Sequence, residues 1–268
     1  MEYREITFKV PKEKFDYLLS ELFSLGSLGT EVVKEGEEVE FKAYFKGEVN
    51  LPENVKEYAT SSINLPERDW NEEWKKYYQP VKVSEKIWVA PSWFKGKFKE
   101  PEGSLVIYIY PGRGFGTGTH ETTKLSMRLI EESLKEGDSF LDVGTGSGIL
   151  SILAKKLGAG KVVACDIQEG VEEEVEKNSS LSGVSGIEFV RGSADRVRGT
   201  FDVVAANIEK HLLEPILPHI VERAKDRVIL SGILKEQRED FVRKCKNLGL
   251  KLVKEVEERQ WKGFLFTK

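Results

Sequence analysis

The sequence predicts an α/β protein with a doubly wound, mostly parallel seven-stranded sheet, preceded by a small α+β domain of ferredoxin-like type. Three observations lead to this fold class. Apolar runs of strand length alternate with helical stretches between residues 140 and 250, as in parallel strands joined by crossover helices. The last two runs follow each other with only a short link at Trp261-Lys262-Gly263, which indicates an antiparallel hairpin. The first 63 residues show a separate β-α-β-β pattern.

Composition limits the class of protein. The chain has 268 residues, 40% hydrophobic and 32% charged, which is more than one ordinary domain and enough for a sizeable core. Its two cysteines indicate neither a disulfide framework nor a metal cluster, so we expect no metal. The start is too charged for a signal peptide, and no apolar run approaches the ~20 residues that span a bilayer. We therefore expect a cytoplasmic protein with no membrane partner.

The charge distribution is more informative than the total. The formal net charge of −4 argues against general nucleic-acid binding, which usually needs a basic face. Residues 1–63 contain 8 Lys/Arg and 13 Asp/Glu, so the acidic surplus lies in this first part of the chain. An acidic domain favours a basic partner, because complementary charge raises the encounter rate. A merely solvated acidic surface accounts for the same counts.

Residues 1–63 form the first predicted domain. A strand is expected over 5–10, then a helix opened by Pro11, then strands over 30–34 and 39–45 that turn at 35–37. The helix places Phe15, Leu18, Leu19 and Leu22 on one face. Because the segment contains no cluster of catalytic side chains, we interpret it as a substrate-recognition domain.

A linker helix is predicted over residues 64–80. Acidic residues near its start and lysines near its end complement a helix dipole, and Pro80 ends it. Trp70, Trp74 and the pair Tyr77 and Tyr78 form one aromatic stripe. Such a stripe is more often packing than a ligand platform, so we interpret the helix as a connector between two domains.

The third part, residues 81–268, carries the predicted sheet. The strands are expected at 86–90, 105–110, 140–143, 161–167, 186–190, 201–207, 227–231, 250–255 and 264–267. A parallel sheet that ends in an antiparallel hairpin is the usual shape of class I methyltransferases. In open sheets of this kind ligands bind at the carboxyl ends of the strands, near the point where the strand order reverses. Gly144, Asp166 and Asn207 all lie at such ends.

The turn after the strand at 140–143 is the strongest nucleotide-binding signal. Gly144, Gly146 and Gly148 allow a positive φ and a close approach of ligand to main chain, and a helix begins at once after them. Asp166 stands 22 residues after Gly144 and can accept both hydroxyls of a ribose. The dinucleotide pattern G-x-G-x-x-G would need a third glycine where Ile149 stands.

Asp142 helps to choose between ligands. A carboxylate so close to the turn would repel a pyrophosphate, but it suits the sulfonium and ammonium groups of S-adenosylmethionine. The pattern therefore favours a methyltransferase over an NAD enzyme. A glycine-rich turn that binds nothing is the structural alternative, and Asp166 in register disfavours it.

A second glycine-rich segment lies upstream. Residues 112–118 contain four glycines in seven residues, and the Thr/His run that follows caps a predicted helix continuing to Leu134. Such loops often close over ligands, although a long loop with ordinary helix capping would look the same. The pattern of a phosphate-binding P-loop is absent from it.

Together these motifs resemble the bacterial ribosomal protein L11 methyltransferases. The matching segments are Phe115-Gly116-Thr117-Gly118-Thr119-His120-x-Thr122-Thr123, Leu141-Asp142-x-Gly144-x-Gly146-Ser147-Gly148-Ile149-Leu150, Ala206-Asn207-Ile208 and Ser231-Gly232-Ile233-Leu234. The resemblance covers roughly residues 67–240, and the loop ending at His120 is its most specific part. The first domain carries no diagnostic motif.

The resemblance implies an enzyme that methylates lysine side chains and the N-terminal α-amino group of one large-subunit ribosomal protein, free or on the ribosome, with S-adenosylmethionine as cofactor. No sequence-specific contact with nucleic acid is expected. The implied cofactor contacts are Thr123, Gly144, Gly146, Asp166 and Asn207. The chain departs from the family where Glu209-Lys210-His211 replaces a small, apolar continuation, and where Gln168 replaces a second acid.

Asn207 is the predicted catalytic residue, because its side-chain oxygen, or a neighbouring carbonyl, can orient the incoming amine. It could also simply end a strand. His120 is either a base or a loop-packing residue. Two other functions stay open: a methyltransferase acting on another protein or on RNA, and a non-catalytic ribosome-assembly factor that retains a cofactor fold.

Overall fold

A computed structural model describes residues 3–65, 78–110, 112 and 116–268 of the chain. The chain divides into two compact units, Met1–Tyr77 and Tyr78–Lys268. Most of the predicted linker helix, with Trp70, Trp74 and Tyr77, lies outside the described residues. Asn64 and Leu65, which that prediction included, belong to the last strand of the first unit.

The first unit has the β-α-β-β-α-β order of ferredoxin-like domains. Its elements are β1 (Tyr3–Pro11), α1 (Phe15–Ser24), β2 (Gly29–Lys34), β3 (Glu38–Lys46), α2 (Glu53–Lys56) and β4 (Ala59–Leu65). The strands lie in the order β2-β3-β1-β4, and all neighbours are antiparallel. The predicted ferredoxin-like type is therefore confirmed. The prediction missed α2 and β4.

Alternation along the strands builds the core of this unit. Ile6, Phe8 and Val10 of β1 are buried, and Phe41 of β3 lies opposite Phe8 in the register. The rings of Phe8 and Phe41 stack with centroids 5.4 Å apart. Leu18 and Leu22 of α1 complete the same cluster, because the helix places both on the face that covers the sheet.

The second unit contains the seven-stranded sheet. Its strands are β8 (Phe140–Val143), β9 (Val162–Asp166), β10 (Ile187–Arg191), β11 (Phe201–Asn207), β12 (Ala224–Leu234), β13 (Lys251–Glu258) and β14 (Trp261–Thr267). They lie in the order β10-β9-β8-β11-β12-β14-β13. All neighbours are parallel except that β14 is antiparallel to β12 and to β13. This confirms the predicted fold class.

Helices connect these strands and cover both faces of the sheet. They are α3 (Glu121–Ser133), α4 (Ile149–Lys156), α5 (Val171–Leu181), α6 (Lys210–Leu213), α7 (Leu217–Arg223) and α8 (Arg238–Asn247). Neighbouring residues of one strand belong to different cores: Phe140 packs in one cluster and Leu141 in the other. A sheet covered on both faces reads as a continuous apolar run, which is why these strands were predictable. Among the described residues, no helix is long and apolar enough to cross a membrane.

Two details differ from the sequence prediction. The predicted strands at 86–90 and 105–110 lie outside the large sheet, because β5 (Val81–Lys82), β6 (Ile87–Pro91) and β7 (Leu105–Ile109) form a separate three-stranded sheet. The final hairpin turns at Arg259 and Gln260, not at 261–263. Trp261, Lys262 and Gly263 pair with both β12 and β13, so this segment is strand.

The strand order places a crevice at the predicted edge. The chain passes from β8 outward through β9 to β10, and then returns to the other side of β8 as β11 and β12. The order thus reverses between β8 and β11, and crossover connections leave in opposite directions there. Ligands bind at such a switch point in open α/β sheets.

Phe41 tests the packing of the first unit. Its ring is fully buried, between Phe8 and Phe15. Replacing it with alanine is expected to lower the free energy of unfolding of this unit by about 3–5 kcal/mol, through lost contacts and a residual cavity. Native-state hydrogen exchange of the β1 and β3 amides measures this. Val33→Ala is the control, because Val33 is half exposed and its loss should cost less than about 0.5 kcal/mol. Unchanged protection in Phe41→Ala would contradict the packing.

Candidate functional site

A cavity of about 320 Å³ opens at the carboxyl ends of β8, β9 and β11. This is within the range of small-molecule sites. Four of the five predicted site residues line it: Gly144, Gly146, Asp166 and Asn207. Thr123, the fifth, does not line the cavity; it is fully buried and contacts Asn207.

The glycine turn adopts the conformation that its sequence predicts. Gly144, Gly146 and Gly148 have φ values of 68°, 52° and 82°, all in the left-handed region that favours glycine. A side chain at Gly144 would also collide with Ile208, since its Cβ would lie 2.7 Å from the Ile208 Cδ1. Gly148 caps α4. The turn therefore leaves main chain, rather than side chains, facing the cavity.

Asp142 holds this turn from within. One of its oxygens, Oδ2, accepts hydrogen bonds from Thr145 Oγ1 at 2.7 Å, Ser151 Oγ at 2.8 Å and the Ser151 amide at 3.1 Å. The other, Oδ1, is buried and has no hydrogen-bond partner among the described residues. Burial raises the pKa of the Asp142 carboxyl to about 6, although the bonds from Thr145 and Ser151 lower it. The sequence reasoning assigned Asp142 only a charge and missed this structural role.

Asp166 ends β9 beside the turn. Its Oδ2 accepts from the Gly146 amide at 3.0 Å, and its Oδ1 accepts from the Gln168 amide at 2.9 Å. Each carboxylate oxygen has two lone pairs, so each keeps one for a further donor. The orientation of Asp166 is thus set by main-chain donors on both sides. Two adjacent hydroxyl groups could be bound by the remaining lone pairs.

Asn207 ends β11 and is held at both ends of its amide. Its Nδ2 donates to Thr123 Oγ1 at 3.2 Å, and its Oδ1 lies 2.9 Å from the Ser231 hydroxyl, which donates to it. Ser126 Oγ lies 2.5 Å from Ser231 Oγ and is also fully buried. Both serines were missed as site residues. Ser231 was part of the family resemblance, but no local signal connects Ser126 to it.

The described end of the upstream loop contacts the turn. Ser147 Oγ donates to the Gly116 carbonyl at 2.5 Å. Gly118 has φ of 82°, and a Cβ there would lie 2.5 Å from the side chain of Val89. Residues 113–115, which carry part of the loop motif, are outside the described residues. Gly116 and Gly118, the last two glycines of the motif, are therefore explained by their positive φ and by close packing.

His120 lies at the rim of the cavity. Its Nδ1 accepts from the Thr122 amide at 3.3 Å, which caps α3, and its ring centroid is 5.4 Å from that of Trp261. These contacts are those of a residue that caps a helix and packs against an aromatic ring. The cavity is also lined by four residues that were not predicted as site residues: Glu209, Leu212, Gly232 and Trp261.

Among the described residues, no group of three or more His, Cys, Asp and Glu side chains could hold a metal ion.

Comparisons with known proteins place the chain in one family. The profile of the family described as Ribosomal protein L11 methyltransferase matches residues 2–268. A ribosomal protein L11 methyltransferase of Acetivibrio thermocellus is 33% identical, with 97% of this chain and 96% of that protein aligned. The protein of the same name from Aquifex aeolicus is 37% identical over the same shares of both chains. A crystal structure of ribosomal protein L11 methylase from Lactobacillus delbrueckii subsp. bulgaricus aligns with a TM-score of 0.66 at 30% identity, covering 70% of this chain and 98% of that one.

Asp142 makes the stability of the second unit depend on pH. The raised pKa means that the folded chain holds a proton on Asp142 at pH 5, where the unfolded chain, with an ordinary aspartate near ~3.9, does not. The contribution of this group to stability is therefore present at low pH and is lost as the pH rises through about 6. With a shift of about two pKa units, the loss is on the order of 3 kcal/mol.

Asp142→Asn removes this titration, because an amide does not ionise. The free energy of unfolding of the wild type, minus that of the variant, should fall between about pH 4 and about pH 6 and level off above about pH 7. Urea unfolding at each pH measures the difference. Parallel curves for the two proteins would show that Asp142 keeps an ordinary pKa.

Proposed function

The chain belongs to the ribosomal protein L11 methyltransferase family, and we propose that it transfers methyl groups from S-adenosylmethionine to lysine side chains and the N-terminal α-amino group of ribosomal protein L11. The observation that supports this most directly is the single cavity that joins Gly144, Gly146, Asp166 and Asn207. The proposed enzyme acts in the cytoplasm, on the free protein or on the ribosome.

The residues of the cavity fit this cofactor. Asp166 keeps one lone pair on each carboxylate oxygen, to which two ribose hydroxyls can donate, and Gly144 and Gly146 expose main chain to the ligand. The Oδ1 atom of Asp142 has no hydrogen-bond partner in the described part of the chain and gives the glycine turn a negative potential, which favours a cationic ligand over a pyrophosphate. Thr123 acts through Asn207, since it is fully buried behind it.

When bound, S-adenosylmethionine supplies an activated methyl group on a sulfonium centre. The protein has to align an amine with that group and to exclude water, because the displacement is in line and needs no proton transfer to the cofactor. The amine must be neutral to attack, and a free lysine has a pKa near ~10.4. Burial and a nearby positive charge both lower that pKa, so no strong base is required.

Asn207 is the residue that we propose to orient the amine. Its Oδ1 accepts from Ser231 and has a second lone pair, with which it can accept from an incoming N–H. In the observed arrangement the Asn207 nitrogen faces Thr123 and the oxygen faces Ser231. The oxygen is therefore the atom that can accept from the amine and orient its lone pair.

Labelled cofactor and unmethylated ribosomal subunits test the proposed reaction. Mass spectrometry after incubation should find the label on lysines and on the α-amino group of ribosomal protein L11. Label on ribosomal RNA would favour the alternative acceptor. No label on any ribosomal component, together with no binding of S-adenosylmethionine by calorimetry, would favour the non-catalytic assembly factor.

Ser231→Ala tests how Asn207 is held. Losing one buried hydrogen bond frees the Asn207 amide to rotate, so kcat should fall about tenfold, corresponding to about 1.4 kcal/mol. The affinity for S-adenosylmethionine should change less than threefold, since Asp166 and the glycine turn are untouched. Steady-state kinetics and calorimetry measure the two effects. An unchanged kcat would mean that Asn207 does not depend on Ser231.

Residues 1–63 are proposed to recognise the protein substrate, on the basis of their separate fold and acidic charge. Because β4 continues to Leu65, a deletion should remove residues 1–65. The shortened protein should bind S-adenosylmethionine as the full chain does and should lose methylation of ribosomal protein L11. Full-rate methylation by the shortened protein would refute a role in recognition.

A further inference from the structure

A second, smaller cavity of about 170 Å³ adjoins the cofactor cavity. The two share three lining residues, Glu209, Gly232 and Trp261. The two cavities thus meet at these residues, and Glu209 follows Asn207 by two positions in the chain. A molecule bound there would reach the cofactor cavity past Glu209.

The walls of the smaller cavity combine apolar and charged side chains. Trp261 and Leu234 supply apolar surface, while Glu209 and Glu214 supply carboxylates. An apolar stem with a cationic tip matches this combination, because the stem can lie along the indole and the tip can meet a carboxylate.

Most charges around this cavity are already paired. Lys210 Nζ lies 2.7 Å from Glu214 Oε1 and 3.0 Å from Asp240 Oδ2, and Lys244 contacts the same two carboxylates at 2.9 Å and 3.0 Å. These four side chains form a network of two cations and two anions. Glu214 therefore has little charge left for a ligand.

Glu209 differs from Glu214. Its ion-pair partner within the described part of the chain is His211, whose Nδ1 lies 3.5 Å from Glu209 Oε2, and the Glu209 side chain is 67% exposed. No lysine or arginine among the described residues pairs with it. Glu209 is therefore the carboxylate at the junction that can take a new cationic partner.

The backbone places Glu209 at the junction. The Ile208 amide donates to the Ser231 carbonyl at 3.2 Å, which continues the β11–β12 ladder past Asn207. Gly232 makes this approach possible: its φ is 91°, and a Cβ there would lie 2.3 Å from the Ile208 carbonyl oxygen. Glu209 thus follows Asn207 by two residues on a segment that is fixed against β12.

We propose that the smaller cavity holds the side chain of the acceptor lysine and that the Glu209 carboxylate binds its ammonium group at the junction. This inference rests on the proposed function, because it names how the amine reaches that site. Glu209 binds the protonated amine, and the proton passes to water at the exposed carboxylate before the neutral amine reaches Asn207. Glu209 accordingly determines affinity for the acceptor, not the rate of methyl transfer.

A pair of cofactor analogues tests this binding without any acceptor protein. In both, a nitrogen replaces the sulfur of S-adenosylhomocysteine and carries a chain of the length of an attached lysine side chain. In one compound the acceptor position is a secondary ammonium group; in the other a methylene replaces it. Calorimetry at low ionic strength gives the dissociation constants for wild type, Glu209→Gln and Glu236→Gln. Glu236 is exposed and does not line either cavity, so it controls for the change in net charge.

The wild type should prefer the ammonium compound about fivefold, the size expected for a largely exposed ion pair. In Glu209→Gln the preference should fall to within twofold, while Glu236→Gln should keep it. All three proteins should bind S-adenosylhomocysteine equally, which shows that they are folded. No preference in the wild type, or a full preference in Glu209→Gln, would overturn the inference.

The proposed function stands or falls on a separate readout, the labelling of ribosomal protein L11. If the wild type labels no ribosomal protein but shows the Glu209-dependent preference, the substrate assignment fails and the amine site remains. If the labelling succeeds and Glu209→Gln keeps the preference, the substrate assignment remains and Glu209 has no part in binding the amine.

Discussion

The cofactor site depends on the hydrogen bonds that the buried Asp142 carboxylate accepts. A single oxygen receives the Thr145 hydroxyl and both the hydroxyl and the amide of Ser151, so it ties the start of the turn to the first turn of α4. With the backbone held in three left-handed glycine conformations, the Gly146 amide points at Asp166. The same bond orients the carboxylate that faces the cavity. Asp142 is thus a structural centre, and its cost of burial is the reason why its pKa is raised.

A second set of contacts extends this order to the other side of the cavity. The close approach of Gly144 to Ile208 brings the turn against the end of β11, and the absence of a side chain at Gly232 lets β12 approach the same segment. Asn207 lies between these two glycines. Its amide is held by Thr123 from α3 and by Ser231 from β12, so two neighbouring elements decide the direction of one side chain. Such over-determination is what preorganised sites require.

The rim of the cavity carries two residues of opposite charge. Glu209 and Lys210 follow Ile208, and the structure gives the two residues different surroundings. Lys210 is neutralised by Glu214 and Asp240, whereas Glu209 stays exposed beside Trp261. A charge difference of this kind acts on affinity for a charged partner more than on chemistry.

Much of the fold was readable because its signals are local. Apolar runs marked every strand from β8 to β14, and Gly144, Gly146 and Asp166 lie within one strand-helix-strand unit, where a fixed spacing implies a fixed geometry. The hairpin turn was predicted a few residues too late, because Lys262 is polar and Gly263 favours turns. Pairing of β14 with strands on both sides makes this segment a strand despite that local preference. The fourth strand of the first unit lacks a strong alternation and was missed for that reason.

The sequence by itself determined the class of fold, the turn with Asp166, and the family to which both belong. Only the tertiary structure decided which side chains surround them. Ser126 and Ser231 are 105 residues apart, and Trp261 contacts His120 across a still longer separation in the chain. Contacts of this kind arise from strand order and crossover connections, which bring distant segments to one edge of a sheet. Local propensity and residue spacing do not predict these long-range contacts, because the free energy that selects the partners comes from packing between elements.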